Sequence, residues 1–228
     1  ITDSICDVLW TPSTDGNKNL KNEGVSADRI SFVGNIMIDA YELMRSQIEH
    51  ARTRTELDLL PNQYGVVTLH RPSNVDHAEA LSLLVDRLIS IADDLPFVFA
   101  LHPRTRKNLN EFGLLHRLET AQRLIVTEPM NYVRFMSLVR EAKLVITDSG
   151  GVQEETTYLG IPCLTLRDST ERPVTITKGS NKLVRPDELA PMIAKITNGA
   201  WAKGKIPDLW DGDTASRIAS DILIRSKD

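Results

Sequence analysis

Lys143-Leu-Val-Ile-Thr-Asp-Ser-Gly-Gly-Val-Gln-Glu-Glu155 is a short apolar run that breaks into a glycine pair and then a helix start. Leu144, Val145 and Ile146 suit a parallel strand buried on both faces, and Asp148, Ser149, Gly150 and Gly151 offer a tight turn after it. A helix starting there points free backbone N–H groups and the positive end of its dipole at whatever sits above the strand, which favours phosphate. The glycines let such a ligand approach the backbone. Glu154 and Glu155 read as first-turn residues, where the dipole favours a carboxylate and where a ribose diol can donate to it. The same letters also fit an ordinary strand-to-helix connection capped by Ser149, although Val152 at the third helical position then gives no capping box.

A chain of 228 residues that is 41% hydrophobic and 25% charged can bury a core of one domain or somewhat more. The net charge of −4 provides no general attraction for nucleic acid or anionic membrane, so phosphate recognition has to be local. Cys6 and Cys163 form no CxxC pair and are expected as buried small hydrophobes in a reducing cytoplasm. No apolar run is long enough to span a bilayer. Ile1-Thr-Asp-Ser-Ile-Cys6 has neither a basic n-region nor an initiator Met, and a longer parent chain is the expectation.

Short apolar strands alternate with amphipathic helical stretches, which predicts the α/β class with a parallel sheet covered by helices. Strands are expected at residues 7–10, 30–33, 65–70, 97–101, 124–126, 144–147, 163–166 and 182–184. The clearest helix is Ala78–Ala92, where Leu81, Leu84, Val85, Leu88 and Ile91 recur at helical spacing; others are expected at 131–141, 186–198 and 214–226. The first 33 residues make a β-α-β piece ending at Gly34-Asn35. A polar helix from about Met37 to Glu56 then reads as a crossing between two domains. No repeat of solenoid period occurs.

Three further motifs fall at the expected C-terminal ends of strands or just after them, where open α/β sheets bind ligands. In Thr68-Leu-His-Arg-Pro-Ser-Asn74, His70 can exchange a proton or donate to phosphate, and Arg71 offers a planar fork for oxyanions; the pair also fits a plain surface site. Leu101-His-Pro-Arg-Thr-Arg106 can face the same cleft or form a solvated basic turn begun by Pro103. In Leu166-Arg-Asp-Ser-Thr-Glu-Arg-Pro173, Arg172, oriented by Glu171, fits a pyrophosphate clamp, while Arg167 and Asp168 also read as an exposed ion pair. Met130-Asn-Tyr-Val-Arg-Phe-Met136 opens a helix whose Phe135 can flank a nucleobase or simply join the core. Glu154 and Glu155, being adjacent, do not form a paired-carboxylate acid/base device, and Trp201 and Trp210 are expected to pack down the loop between them. No His/Cys/Asp/Glu spacing suggests a metal, and neither a GxSxG elbow nor a Walker loop is present.

Taken together, Leu69-His-Arg-Pro-Ser-Asn-Val-Asp76, His102-Pro-Arg-Thr-Arg106, Thr147-Asp-Ser-Gly-Gly-Val-Gln-Glu-Glu155, Thr170-Glu-Arg-Pro173 and Gly179-Ser-Asn-Lys-Leu-Val184 closely resemble the non-hydrolysing UDP-N-acetylglucosamine 2-epimerases in order and spacing. Asp211-Gly-Asp-Thr-Ala-Ser-Arg-Ile218 resembles that family's entry to its final helix. The resemblance implies a GT-B type architecture of two Rossmann-like domains facing a cleft. Residues 1–36 would be the tail of the N-terminal domain and 37–62 the crossing helix and linker. Residues 63–205 would be the UDP-binding C-terminal domain, and 206–228 a last helix packing back on the N-terminal one. It further implies Ser149, Gly150 and Gly151 on the diphosphate, Glu155 on the ribose, Arg172 on the phosphates, Phe135 and the Met130 backbone on the uracil, and His70 on the diphosphate or sugar. Arg71 and His102 would lie near a second, regulatory UDP-sugar site. Many members carry Glu where this chain has Ser73. The family's acid and base carboxylates belong to segments preceding Ile1, so this portion is expected to bind UDP and to turn over little alone. No cofactor is implied; a homodimer of the full-length enzyme, a cytoplasmic setting and a role in surface polysaccharide assembly are.

The chemistry implied is elimination of UDP across C1–C2 to a 2-acetamidoglucal, followed by re-addition after protonation on the opposite face of C2. Three other readings remain open. A hydrolysing 2-epimerase would release ManNAc, and a GT-B glycosyltransferase would make a glycoside. A non-catalytic nucleotide-sugar module would bind UDP without chemistry even with an N-terminal domain restored.

Overall fold

Eight short strands form two parallel sheets in the computed structural model, which describes residues 2–226. Strands β1 (Leu9–Thr11) and β2 (Ile30–Phe32) pair with each other. The other six are β3 (Gly65–Thr68), β4 (Phe97–Ala100), β5 (Leu124–Thr127), β6 (Leu144–Thr147), β7 (Cys163–Thr165) and β8 (Asn181–Leu183). Their order is β5-β4-β3-β6-β7-β8, with every neighbouring pair parallel. The chain therefore winds outward from β3 in one direction and, from β6, in the other. The loops leaving β3 and β6 part company there and open a crevice, the usual ligand site of such sheets.

Strand periodicity decides which layer each side chain joins. Val67, Phe97, Phe99, Leu144 and Ile146 pack on one face beneath the helices Ala78–Ala92, Pro103–Glu111 and Leu189–Thr197. Val66, Val98 and Val145 pack on the other beneath Ile36–His50, Tyr132–Val139 and Gly150–Leu159. Burial of side chains of this size is worth roughly 1.5–3 kcal/mol each, so the sheet carries most of the stability. Gly65 opens β3 because a Cβ there would stand 2.2 Å from Phe97 Cε1 on the next strand.

Every expected strand is found, shifted by no more than two residues at either end. The long helix expected from Met37 to Glu56 is interrupted: it runs Ile36–His50, turns extended at Ala51, and resumes as Thr53–Glu56. No Gly or Pro marks the break. Tertiary contacts cause it, since Ser137 donates to Thr53 Oγ1 at 2.8 Å and Arg54 Nε reaches Glu141 at 2.7 Å, contacts that a straight helix would carry elsewhere. Cys163 is buried as expected, whereas Cys6 is only half-buried; both are free thiols.

The β1–β2 sheet, with the helix Thr14–Asn22 between its strands, is joined to the last helix, Thr214–Arg225. Trp10 Nε1 donates to Asp221 at 2.7 Å, Arg217 Nη1 to the Val33 carbonyl at 3.1 Å and Arg225 Nη2 to the Asp28 carbonyl at 3.1 Å. Trp210, almost fully buried, donates to the Pro12 carbonyl at 2.8 Å, and Trp201 donates to the Ser180 carbonyl at 3.3 Å. Gly34 adopts φ +98°, and a Cβ there would lie 2.1 Å from the Leu209 carbonyl, so the backbones meet only because the side chain is absent. Among the described residues no helix is long and apolar enough to cross a membrane.

Candidate functional site at the β3/β6 crevice

Asp148 leaves the end of β6 with its side chain fully buried between the two diverging loops. Its carboxylate accepts from the His70 amide at 3.0 Å, the Arg71 amide at 2.8 Å and Asn74 Nδ2 at 3.0 Å, and lies 3.1 Å from His70 Nδ1. Asn74 also donates to the Leu166 carbonyl just beyond β7 at 3.0 Å, so one network ties the ends of three strands together. Burial alone would push the Asp148 carboxyl up. The hydrogen bonds from His70, Asn74 and the Arg71 amide outweigh that effect and hold it below its ordinary value.

Above this network lies a cavity of about 300 Å³ whose wall includes His70, His102, Met130, Phe135 and Ser149. His70, His102, Met130 and Ser149 follow the ends of β3, β4, β5 and β6, Phe135 comes from the helix Tyr132–Val139 after β5, and the topology brings these five expected site residues to one place. The rings of His70 and His102 have centroids 5.3 Å apart, and His102 Nδ1 accepts the Arg104 amide at the start of the helix Pro103–Glu111. Arg104 and Arg106 point to Asp76 and Glu128 instead of the cavity. Phe135 is half-buried, packed against the core on one side and lining the cavity on the other.

The helix Gly150–Leu159 begins at Ser149, which is extended and makes no side-chain cap; Thr147 Oγ1 accepts the Ser149 amide instead. Glu154 and Glu155 fall in the second turn of this helix, not the first, and both are buried. Burial raises the Glu155 carboxyl to about 7, against a counter-pull from the Tyr132 hydroxyl beside it, and Glu154 adds to the rise. Its Oε1 has no hydrogen-bond partner among the described residues, which leaves an acceptor unfilled.

Arg172 is not oriented by Glu171. Its Nε lies 2.7 Å from Glu154 Oε1, while Glu171 pairs with Arg167 at 2.7 Å and Arg71 at 3.4 Å. Arg167 is thereby largely buried, and it is not an exposed partner of Asp168. Glu171 Oε1 stands 2.9 Å from where a Cβ of Gly150 would be, so a carboxylate lies beside the helix start. Gly151 faces Met37 Cε at 3.6 Å on the same measure. Arg71, Gly150, Gly151, Glu155 and Arg172 do not line this cavity.

Cationic side chains, free helix amides and an unfilled buried acceptor beside an apolar cavity suit an anionic ligand with an attached planar ring and hydroxyl groups. The sequence profile described as UDP-N-acetylglucosamine 2-epimerase matches residues 1–223. The chain belongs to the UDP-N-acetylglucosamine 2-epimerase family. It is 40% identical over 190 residues to the UDP-N-acetylglucosamine 2-epimerase of Methanocaldococcus jannaschii, covering 81% of this chain and 52% of that protein. The Methanococcus maripaludis enzyme of the same name is 39% identical over 192 residues, covering 82% and 52%. The chain thus spans about half the length of these relatives. The M. jannaschii enzyme crystallised with UDP-GlcNAc and UDP superposes with a TM-score of 0.83 at 34% identity, over 96% of this chain and 62% of that one. The Neisseria meningitidis epimerase bound to UDP-GlcNAc gives 0.85 at 25% identity, over 97% and 62%.

Two residues at this crevice escape a reading by motif. Asp148 reads as a turn residue because its partners lie more than seventy positions away. Glu154 reads as a companion of Glu155 because its pairing with Arg172 needs the 167–172 loop folded over the helix. Gln153, also buried, fastens that loop by accepting from Thr170 at 2.7 Å. The only sequence signal for these contacts is that polar residues interrupt a helix whose neighbours are buried.

Proposed function

We propose that this chain is the UDP-binding portion of a UDP-N-acetylglucosamine 2-epimerase, interconverting UDP-GlcNAc and UDP-ManNAc when joined to the rest of the enzyme. The observation that carries this reading is the cavity walled by Met130 and Phe135 directly beside the Ser149–Gly151 helix start. Uracil occupies the cavity, the diphosphate lies over Ser149, Gly150 and Gly151, and the ribose hydroxyls donate to Glu155. Arg172, released from Glu154, meets the phosphates. In the forward step a base removes the C2 proton and its electron pair forms the C1–C2 double bond. The C1–O bond breaks with its pair going to the β-phosphate oxygen. Fixed helix amides, Arg172 and His70 stabilise the charge that collects there. UDP then re-adds at C1 as a proton is delivered to the other face of C2, and no cofactor is consumed.

Residues 1–36 belong to the tail of an N-terminal domain in this reading, 37–62 to the crossing, 63–205 to the UDP-binding domain, and 206–228 to a helix returned to the first. The acid and base carboxylates come from the other half, the enzyme is a cytoplasmic homodimer, and Arg71 with His102 borders a regulatory UDP-sugar site. Support comes from family membership and from the relatives crystallised with UDP-GlcNAc.

Calorimetric titration with UDP tests the site. Saturable binding weakened by roughly 1–3 kcal/mol in both Glu155→Ala and Arg172→Ala is expected, the scale of a lost charge-assisted hydrogen bond. A folded chain that ignores UDP would overturn the assignment, and full-rate epimerisation by these residues alone would remove the need for the other half.

A further inference from the structure

His70 is held by the network beneath it in a way that selects which ring nitrogen is presented to a ligand. An ionised carboxylate only accepts hydrogen bonds, and Asp148 is held ionised by the donors around it. With Nδ1 lying 3.1 Å from Asp148 Oδ1, the proton of the neutral ring must sit on Nδ1. Nε2, on the far side of the ring, is then the nitrogen left for the cavity that His70 lines. The two oxygens of Asp148 are used unequally. Oδ2 takes the Arg71 amide, Asn74 Nδ2 and the shorter contact from the His70 amide, whereas Oδ1 faces the His70 ring and shares the same amide at 3.1 Å.

We propose that Asp148 is a positioning residue that fixes His70 as the Nδ1–H tautomer and so makes Nε2 the atom that meets the ligand's diphosphate. This rests on the reading of the crevice as a diphosphate site. With Nδ1–H held on Asp148, the proton that Nε2 donates to the diphosphate has to come from solvent as the ligand binds. Arg71 is turned away to Glu171 and His102 has Nδ1 committed to the Arg104 amide, so neither replaces Asp148 as the partner of Nδ1.

The substitution Asp148→Asn separates this role from mere loop fixation. Three donors converge on the Oδ2 position, so the Asn carbonyl must stay there and its NH2 must turn to the His70 ring. Nδ1 then becomes an acceptor and the proton moves to Nε2. The loop keeps its hydrogen bonds to the Oδ2 position and loses only the longer share of the His70 amide, and the tautomer inverts.

The test is nitrogen-15 NMR of the imidazole rings in the ligand-free protein at alkaline pH, with His70→Gln to assign the signals. The expected result is a protonated Nδ1 and a bare Nε2 in the wild type, exchanged in Asp148→Asn. A wild-type ring carrying its proton on Nε2 would overturn the proposal without any variant needing to fold. In the second arm, the ratio of UDP to uridine affinity should fall about tenfold or more in Asp148→Asn, because uridine lacks the diphosphate that Nε2 meets. An unchanged ratio would overturn the presentation of Nε2 to the diphosphate. Failure of the wild type to bind UDP at all would defeat the diphosphate reading while leaving the tautomer result standing.

Discussion

Around the six-stranded sheet the layers are joined by apolar side chains that are almost wholly withdrawn from water, from Val67 and Phe97 on one face to Val66 and Val145 on the other. The β1–β2 sheet is held differently. Among the described residues it has only Leu20 and Val33 as buried apolar residues of its own, and it reaches the rest of the molecule through Trp210, Gly34 and hydrogen bonds to the last helix. Ile5, Trp10, Ile222, Leu223 and Ile224 remain exposed on this side. Apolar burial scales with area and is insensitive to single polar contacts, whereas a small unit docked by a few specific groups depends on each of them.

The sharpest way to break the contrast is Trp210→Ala. The indole is almost fully buried with Ile38 and Val174 and also makes the Pro12 hydrogen bond, so its loss should cost about 3–5 kcal/mol. The cost should fall on the β1–β2 unit. Urea unfolding followed by amide hydrogen exchange should show residues 9–33 opening well before the strands β3 to β8, which keep their protection. A single shared transition, lowered as a whole, would mean that the two sheets stand or fall together.

The two regions also differ in what their carboxylates do. Near the last helix the exposed Asp211 and the half-buried Asp221 are held low, mainly by hydrogen bonds from Arg217 and Trp10 respectively, so their contribution is present at neutral pH and fades as pH falls. At the crevice Glu155 moves the other way. Between its ordinary 4.5 and its folded value of about 7 the unfolded chain has lost a proton that the native protein keeps, so stability drops as pH rises through this window. The full loss is about 3 kcal/mol above the folded pKa. Glu155→Gln should therefore match the wild type near pH 4 and exceed it by up to that amount at pH 8 in urea denaturation. Parallel curves for the two proteins would show that Glu155 ionises without penalty and is not a buried acceptor waiting for a ligand hydroxyl.

The same division explains what could be read from the sequence. Strands such as Leu144–Thr147 and the helix Ala78–Ala92 are visible because burial imposes a period that depends only on near neighbours. The cavity residues His70, His102, Met130, Phe135 and Ser149 were legible because each follows a strand end, and parallel topology gathers strand ends. Contacts made by polar groups across long separations were not. Asp148 with His70, Glu154 with Arg172 and the break at Ala51 caused by Thr53 and Arg54 leave no local pattern, since any of these residues would look the same on a solvated surface.

Asp39 provides the finest test, because it joins the two regions at a single point. The last helix starts at Thr214 without a side-chain cap from Asp213. Asp39, on the helix Ile36–His50, supplies one instead, accepting the Thr214 amide at 3.2 Å and the Ala215 amide at 2.7 Å. A carboxylate at a helix N-terminus satisfies otherwise unpaired donors and faces the positive end of the dipole. Asp39→Ala should cost about 1 kcal/mol, while Asp39→Asn, which keeps an acceptor and loses the charge, should cost less. Hydrogen exchange at Thr214 and Ala215 should accelerate in Asp39→Ala, and β3 should be untouched. If β3 exchange rose equally, the helix Ile36–His50 would be transmitting the loss into the large sheet, and the two regions would be coupled through that helix more tightly than through Trp210.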